Sequence, residues 1–428
     1  MAIKRRDFIK LSAGTTAGAA FLGACTTSDS TSTKSAGPLD GLKSMTTDIV
    51  PITVDERLAR IEKAQRLMTE NKINALFLDG GTTMEYFTGI RWGTSERMMS
   101  AIIPAKGELK YISPAFEAAR VEELMTIGSD IRVWEEHESP YKQVAMAFKD
   151  MGISSGTIAM EERVRFFLYD GVKKEAPNLN YVSGDPVTIP CRLFKTAAEL
   201  ALMQRANDIT LRVHKICTSM LEEGMTPQDF QALFTEAHKR LGARGGCIVN
   251  FGEASAYPHG SIQQQYLKKG DVIIMDGGCS VGGYGSDISR TVVFGAEPTD
   301  RQREIWNLEK ESQSAGFAAA ILGDPCENVD IAARKVLEDA GYGPGYKLPG
   351  LPHRTGHGIG MDGHEWGNMV LGNKQPFMPG MCFSIEPNIS IYGEFGMRLE
   401  DCAYMTEDGV KWFTPQSHSI DDPFKGVA

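Results

Sequence analysis

Five residues that could bind metal ions recur in the second half of the chain, each within a short segment of its own. They are Asp276, Asp287, His357, Glu386 and Glu400. Four carboxylates and one imidazole are hard ligands, which suit a pair of divalent cations better than a structural zinc ion held by thiolates. The residue types therefore predict a site for two divalent metal ions.

The segments around three of these residues favour metal binding over an ordinary turn. A lone aspartate is usually solvated, and Asp276 before two glycines would by itself indicate only a hairpin. However, Asp276, Glu386 and Glu400 each end or interrupt an apolar, strand-like run (VIIM, CFSI and MRL). A buried carboxylate is costly unless it is paired or coordinated. Three carboxylates on apolar runs therefore indicate a bound cation.

The spacing of the acidic residues predicts two strand hairpins that carry them. Asp276 and Asp287 lie on two β-rich runs, and the stretch between these runs is rich in glycine. Two antiparallel strands joined by a short turn fit this pattern. Glu386 and Glu400 are spaced for a second hairpin of the same kind. His357 lies in the glycine-rich segment RTGHGIG, which predicts a loop.

The first half of the chain predicts an α/β domain. Residues 53–56 (TVDE) can cap a helix through RLARIEKAQRLM, and short apolar runs after it are typical of strands separated by helical stretches. Residues 54–190 contain no cluster of His, Cys and acidic side chains typical of a catalytic site. Two prolines and a glycine predict a linker at residues 183–192.

The second half contains the same order of elements twice. The stretch from Lys195 is apolar at helical spacing, and residues 226–229 (TPQD) form a capping box with proline at the first helical position. Further helices are predicted near Thr299 and Val329. Each pair of helices precedes a hairpin, first the one with the aspartates and then the one with the glutamates. This order predicts an internally duplicated domain.

The order Asp, Asp, His, Glu, Glu in these segments resembles that of the pita-bread metallopeptidases, the superfamily of methionine aminopeptidase, aminopeptidase P, prolidase and creatinase. The resemblance is strongest to the proline-peptide branch over residues 195–415, with a weaker similarity of residues 54–190 to the N-terminal domain of prolidase and creatinase. It implies an α/β (α+β) fold. A creatinase/prolidase-like N-terminal domain is expected at 51–190, and a pseudo-symmetric pita-bread catalytic domain, with the metals between its halves, at 191–428.

The resemblance also implies a role for each ligand. Asp287 and Glu400 would bridge the two metal ions, and Asp276 would complete one of them. His357 and Glu386 would complete the other, and Glu386 would also pass a proton from the attacking water towards the leaving nitrogen. A water shared by two such ions loses a proton near neutral pH, which gives a nucleophile without Ser or Cys. Mn²⁺ is the expected metal, with Co²⁺, Fe²⁺ or Zn²⁺ as alternatives.

Two further histidines match active-site positions of the family. His259 in AYPHGS corresponds to a histidine that contacts bound substrate, and His364 in DGHE to one that stabilises the tetrahedral intermediate. Arg398, two residues before Glu400, is expected to orient a ligand carboxylate. His353 is a candidate for the mouth of the pocket.

The chain departs from the proline-specific pattern near the pocket, which leaves the substrate open. Gly363 stands where that branch commonly has valine in Asp-Val-His, and Asn388 stands where it has glycine after Glu-Pro. The favoured function is a metal-dependent exopeptidase, of aminopeptidase P or prolidase type, acting on Xaa-Pro bonds in short peptides. The alternative is action on a non-peptide small molecule, as a creatinase-like amidinohydrolase or a sulfonium-acid lyase. A non-catalytic binding protein is disfavoured because all five ligands are retained.

The charge balance argues against nucleic acid as a partner. The chain of 428 residues has a net charge of −10 and offers no basic patch for phosphates. A length of this order is sufficient for two domains with sizeable cores. The family resemblance implies a homodimer.

The N-terminus is interpreted as a targeting signal. Residues 4–10 (KRRDFIK) form a twin-arginine pattern, and the apolar stretch after them is too short to span a bilayer. Cys25 follows a sequence that resembles a bacterial lipobox, which predicts a lipid anchor. The predicted organisation is a signal peptide at 1–24 and a Ser/Thr-rich flexible tether at 25–50. The expected location is the bacterial envelope or periplasm.

Overall fold

The computed structural model describes residues 37–427, in which helices and strands occur in both halves. The predicted α/β (α+β) class is therefore confirmed. The signal peptide predicted at 1–24, the lipid attachment predicted at Cys25 and the tether up to residue 36 lie outside the described residues. Within the described range, no helix combines the length and apolar character that a membrane span requires.

Six strands form one mixed sheet in the first half. They are β1 (Ala75–Asp79), β2 (Ser100–Pro104), β3 (Lys110–Pro114), β4 (Asp130–Trp134), β5 (Gly156–Met160) and β6 (Leu179–Ser183). Their order is β4-β3-β2-β1-β5-β6, and β2 is antiparallel to both neighbours. Leu76 and Leu78 belong to one hydrophobic core, whereas Ala75 and Phe77 belong to another. Because successive side chains point to opposite faces, both faces of β1 are buried.

Six helices lie along the same part of the chain. They are α1 (Val54–Glu70), α2 (Thr82–Thr88), α3 (Ala118–Leu124), α4 (Pro140–Asp150), α5 (Phe166–Glu175) and α6 (Asp185–Leu193). The predicted cap of α1 is confirmed, because Thr53 and Glu56 form a reciprocal capping box. The side chains of this pair accept hydrogen bonds from two backbone N–H groups that have no partner within the helix.

The linker predicted at residues 183–192 is wrong, since most of this segment forms α6. Its first proline stands at the start of the helix, where proline is tolerated. Val187, Cys191 and Leu193 are buried, so the helix gains apolar burial that the proline-based prediction did not count. The predicted domain boundary between residues 190 and 191 falls within this helix.

The second half contains four α-helices, one short 3-10 helix (Gly252–Ala256) and eleven strands within the described range. The helices are α7 (Ala197–Thr218), α8 (Pro227–Arg240), α9 (Asp300–Ala318) and α10 (Glu327–Asp339). The strands are β7 (Arg244–Phe251), β8 (Val272–Val281), β9 (Tyr284–Gly285), β10 (Ile288–Val293), β11 (Gly356–Gly358), β12 (Glu365–Met369), β13 (Cys382–Ile385), β14 (Asn388–Ile391), β15 (Phe395–Arg398), β16 (Asp401–Thr406) and β17 (Gly409–Trp412).

The predicted duplication is visible in the order of these elements. Helices α7 and α8 precede the sheet β10-β8-β7, whereas α9 and α10 precede the sheet β12-β11-β13-β16-β17. Strand β9 pairs with β8, and β14 pairs with β15. Thr226 caps α8 and Thr299 caps α9, each through a capping box. The helix predicted near Val329 begins at Glu327.

Residues 38–50 pack against the second half, whereas the sequence predicted a flexible tether through this segment. Leu39 is buried in the same core as α7 and α8. The Met45 backbone N–H donates to the Leu241 carbonyl at 2.8 Å, and Arg205 donates to Asp48 at 2.7 Å. Apolar residues spaced among the polar ones supply the burial that a Ser/Thr-rich tether lacks.

The two halves of the duplicated domain join along β10 and the start of β16. Ser289 and Glu400 exchange two backbone hydrogen bonds of 3.2 Å. Beside them, Arg290 donates to Asp401 at 2.7 Å, and both side chains are completely buried. Arg290 also donates to the Glu400 carbonyl at 3.0 Å. A buried ion pair with good geometry is therefore built directly behind a predicted metal ligand.

Replacing Arg290 with methionine is expected to lower the free energy of unfolding by about 3 to 5 kcal/mol, because Asp401 would remain buried without its partner. Urea denaturation of the variant measures this change. Lys174→Met is the control, since it removes an exposed pair with Asp170 and should leave the midpoint unchanged. An unchanged midpoint for Arg290→Met would mean that this pair does not hold the two halves together.

Candidate metal centre

The fold brings the five predicted ligands together from five separate places. Asp276 lies within β8, and His357 lies within β11. Asp287 directly precedes β10, Glu386 directly follows β13, and Glu400 lies between β15 and β16. Strands β8 and β10 pair antiparallel, as predicted for the first hairpin. The second arrangement is nested, because β13 pairs with β16 while β14 and β15 pair between them.

Three overlapping groups of side chains could each hold a cation. In each group, one ligand atom from every member lies within 4.8 Å of the others. The groups are Asp276, Asp287 and Glu400; His357, Glu386 and Glu400; and Asp287, His357 and His364. Asp287, His357 and Glu400 each belong to two groups. Of these three, only the carboxylates Asp287 and Glu400 have two oxygens, so they are the two that could be shared by two cations.

His357 presents one defined nitrogen to the carboxylates. Its Nδ1 lies 3.0 Å from the Gly358 carbonyl oxygen, which can only accept, so Nδ1 carries the proton. Its Nε2 lies 3.1 Å from Glu386 Oε1 and 3.7 Å from Asp287 Oδ2. Glu386 can only accept as well, so Nε2 carries a second proton, which a bound metal ion would displace to use the Nε2 lone pair. The Gly358 carbonyl fixes the orientation of the ring.

The carboxylates have strongly perturbed pKa values. Burial, followed by repulsion from Asp276, raises the pKa of Asp287 well above its usual value. Burial, followed by repulsion from Asp287 and Glu386, does the same to the pKa of Glu400. Burial opposes ionisation of Glu386 as well, but the hydrogen bond and charge of His357 lower its pKa to about 2. This crowding of buried acidic groups is stabilised by a positive charge among them.

Glu400 carries the direct test of whether a cation fits. Its Oε2 accepts a hydrogen bond of 2.8 Å from the Ser289 hydroxyl. Its Oε1 is buried and has no hydrogen-bond partner. A buried carboxylate oxygen without a partner is costly, and a hard divalent cation is the ligand that such an oxygen accepts best. The donor set therefore fits metal ions.

Arg398 lies against the ligand carboxylates rather than at the surface. It donates to Asp276 Oδ2 at 2.6 Å and to the Ser289 hydroxyl at 3.1 Å. The guanidinium thus orients one carboxylate directly and another through the serine. Ser289 was not predicted from the sequence, although it lies two residues after Asp287 at the start of β10, where the alternation of an extended chain places both side chains on the same face.

The predicted histidines occupy different places. The ring of His364 stacks on that of His357 with centroids 3.9 Å apart. The pKa of His364 is lowered by burial and by its neighbours His357 and Arg354. His353 donates from Nδ1 to the Arg354 carbonyl at 2.7 Å, and its buried Nε2 has no partner.

His259 is not a member of the three ligand groups found among the described residues. It lines a neighbouring pocket together with Asn250 and Gln265. Its loop reaches the ligands through Pro258, whose carbonyl accepts a 3.5 Å hydrogen bond from Arg398. The assignment of His259 as a substrate contact stays a prediction.

Comparison with known proteins matches both halves of the chain to described families. Metallopeptidase family M24 matches residues 201–407, and the Creatinase/Prolidase N-terminal domain matches residues 60–194. A Xaa-Pro dipeptidase from Lactobacillus delbrueckii subsp. lactis is 31% identical over 369 residues, which cover 84% of this chain and 98% of that protein.

Solved structures resemble the chain over most of its length. Dipeptidase PepE from Mycobacterium ulcerans superposes with a TM-score of 0.80 at 30% identity, covering 87% of this chain and 99% of that one. Recombinant prolidase from Thermococcus sibiricus gives a TM-score of 0.78 at 28% identity, covering 84% and 97%. The predicted pita-bread architecture is confirmed by these likenesses.

Glu400→Gln and Asp287→Asn are expected to lose at least one metal ion per chain, because each removes the charge of a carboxylate shared by two groups. Elemental analysis of the purified protein measures the loss. Glu161→Gln is the matched control, since Glu161 is a buried carboxylate hydrogen-bonded to Thr83 in the first half. Two ions per chain in the Glu400 variant would contradict the assignment.

Proposed function

The chain belongs to metallopeptidase family M24 and is a metal-dependent peptidase, and from this premise we propose that it hydrolyses Xaa-Pro bonds in short peptides. The observation that carries the hydrolytic chemistry is the convergence of Asp276, Asp287, His357 and Glu386 on Glu400, whose buried Oε1 has no hydrogen-bond partner. The names of the related dipeptidases support proline-containing dipeptides as the substrate class. They favour the prolidase type over the aminopeptidase P type.

The residues divide the work of such a hydrolysis. Asp276, Asp287, His357, Glu386 and Glu400 would hold two divalent cations, of which Mn²⁺ is our proposed metal. When bound, such ions acidify a water molecule and polarise a carbonyl group. Glu386 accepts the proton of the attacking water and returns it to the proline nitrogen as the C–N bond breaks. His364 donates a hydrogen bond to the carbonyl oxygen as it gains negative charge.

Two further parts of the proposal concern assembly and location. We propose a homodimer, in line with the family resemblance. We also propose export by the twin-arginine route and anchoring in the cell envelope through Cys25. The motif KRRDFIK and the lipobox-like sequence before Cys25 support this route. A pathway that moves folded proteins suits an enzyme that takes up its metal before export.

Mn²⁺-loaded protein is expected to hydrolyse Xaa-Pro dipeptides and to act much more slowly on Xaa-Pro-Yaa tripeptides. Mass spectrometry of the products measures both reactions. Xaa-Ala dipeptides of matched charge test the need for proline, and protein treated with a chelator tests the need for metal. Consumption of creatine or a sulfonium acid, with the peptides intact, would favour the non-peptide alternative instead.

Replacing Arg5 and Arg6 with lysine is expected to keep the protein in the cytoplasm, because the twin-arginine signal would be lost. Cys25→Ala should instead release the exported protein from membranes. Lys10→Arg is the control, since it preserves both the charge and the arginine pair. Immunoblots of cell fractions measure all three variants. Membrane-bound protein in both the Arg5/Arg6 and Cys25 variants would refute the proposed export.

A further inference from the structure

Arg354 links the segment before β11 to the loop that carries His364. Its Nη1 donates to the side-chain oxygen of Asn368, in β12, at 3.0 Å. Its Nη2 lies 2.8 Å from Nδ1 of His364. The arginine is half-buried, and its two side-chain partners are an amide oxygen and a ring nitrogen. One guanidinium edge is therefore held by an amide while the other contacts an imidazole.

The chemistry of this contact determines where the proton of His364 lies. A guanidinium offers only N–H donors and stays protonated in proteins. Nδ1 of His364 must therefore accept the hydrogen bond through its lone pair. A neutral imidazole carries one proton, so that proton is on Nε2. His357 differs from His364 in that its Nδ1 donates a proton to the Gly358 carbonyl.

This difference separates two stacked rings that could otherwise perform the same task. His364 belongs to a candidate metal group with Asp287 and His357. A nitrogen needs a free lone pair to bind a metal, and in His364 the only lone pair of the neutral ring is occupied by Arg354. His357 instead directs Nε2 at the ligand carboxylates, where a metal ion would displace its proton. One ring is thus a ligand, and the other is a hydrogen-bond donor.

We propose that Arg354 is a positioning residue that holds His364 as the Nε2–H tautomer, so that His364 donates to the reacting carbonyl oxygen and does not bind metal. The role in the reaction rests on the proposed peptidase function, whereas the tautomer and the metal coordination do not. Because Arg354 lies outside the five ligands, it acts on the reaction only through His364.

The loop itself is held by other contacts, which makes the effect of Arg354 separable. Asp362, two residues before His364, accepts from Arg192 at 2.6 Å and from Thr82 at 2.7 Å. Arg163 forms a further ion pair with Asp362 at 2.8 Å. Removal of Arg354 therefore leaves the loop attached while it frees Nδ1 of His364.

The direct test is the tautomer of His364 in the metal-loaded protein. Protein labelled with ¹⁵N-histidine and loaded with Zn²⁺, which is diamagnetic, gives long-range ¹H–¹⁵N spectra in which the two tautomers differ. His364→Gln identifies the signals of this ring. We expect the Nε2–H pattern in the unmodified protein and its loss in Arg354→Met, which keeps an unbranched side chain but has no donor. Arg354→Lys, which retains a donor, should recover part of the pattern.

Activity and coordination give two independent readouts. Arg354→Met should lower kcat roughly 10- to 100-fold, the usual effect of losing a partner that orients an active-site group, with little change in KM. In the Co²⁺-loaded variant, the visible spectrum should change as His364 gains a nitrogen able to bind the metal. Arg163→Met is the control, because it removes a contact to the same loop without touching the ring. It should keep the tautomer, the spectrum and kcat.

Three results would overturn the proposal. They are a proton on Nδ1 of His364 in the unmodified protein, an unchanged tautomer and kcat in Arg354→Met, and equal losses in Arg354→Met and Arg163→Met. If the unmodified protein cleaves no Xaa-Pro peptide while the spectra behave as expected, the proposed substrate fails, but the tautomer assignment stands.

Discussion

The structure of the catalytic half depends on the energetic problem of placing four carboxylates in one buried cluster. Burial and mutual repulsion raise the pKa of Asp287 and Glu400, so the cluster disfavours its own ionised form. Only nearby positive charge reverses that preference. The chain supplies part of it through Arg398, which pairs with Asp276. Oε1 of Glu400 is buried without a hydrogen-bond partner, which indicates that metal ions supply the rest of the positive charge.

The same constraint explains how the two halves are joined. The cluster needs ligands from both halves, so the backbone must be most rigid where they meet. Ser289 and Glu400 are paired through their backbones, and Ser289 also holds the Glu400 side chain. Behind them, Asp401 receives hydrogen bonds from Arg290 and from Gln313 of α9. These buried polar residues therefore hold the ligand Glu400 in place. Their burial has a desolvation cost that apolar residues would not have.

The sequence was sufficient for the features that local chemistry determines. Capping residues at Thr53 and Thr226 predicted helix starts because each capping box depends on residues three positions apart, and the helix predicted near Thr299 also begins with a capping box. Asp276, Glu386 and Glu400 were recognisable because acidic residues rarely interrupt apolar runs, and the order of all five ligands was recognisable from the family resemblance. The sequence failed where tertiary burial outweighed local preference, as in α6, where prolines indicated a linker. It also gave no signal for the contact between Arg354 and His364, because a bond between two loops leaves no periodic pattern.

Three side chains at the centre of the site share one feature. A neighbouring protein group forms a hydrogen bond with one polar atom of the side chain, and the role of the second polar atom follows from that bond. The Gly358 carbonyl accepts a hydrogen bond from Nδ1 of His357, so Nε2 is the nitrogen that faces the ligand carboxylates. The Ser289 hydroxyl donates a hydrogen bond to Oε2 of Glu400, and Oε1 has no hydrogen-bond partner. Arg354 donates a hydrogen bond to the lone pair on Nδ1 of His364, so the proton of that ring is on Nε2. Residue type alone does not show which of two adjacent histidines binds metal and which donates a hydrogen bond. The hydrogen-bond partner of each ring makes that distinction.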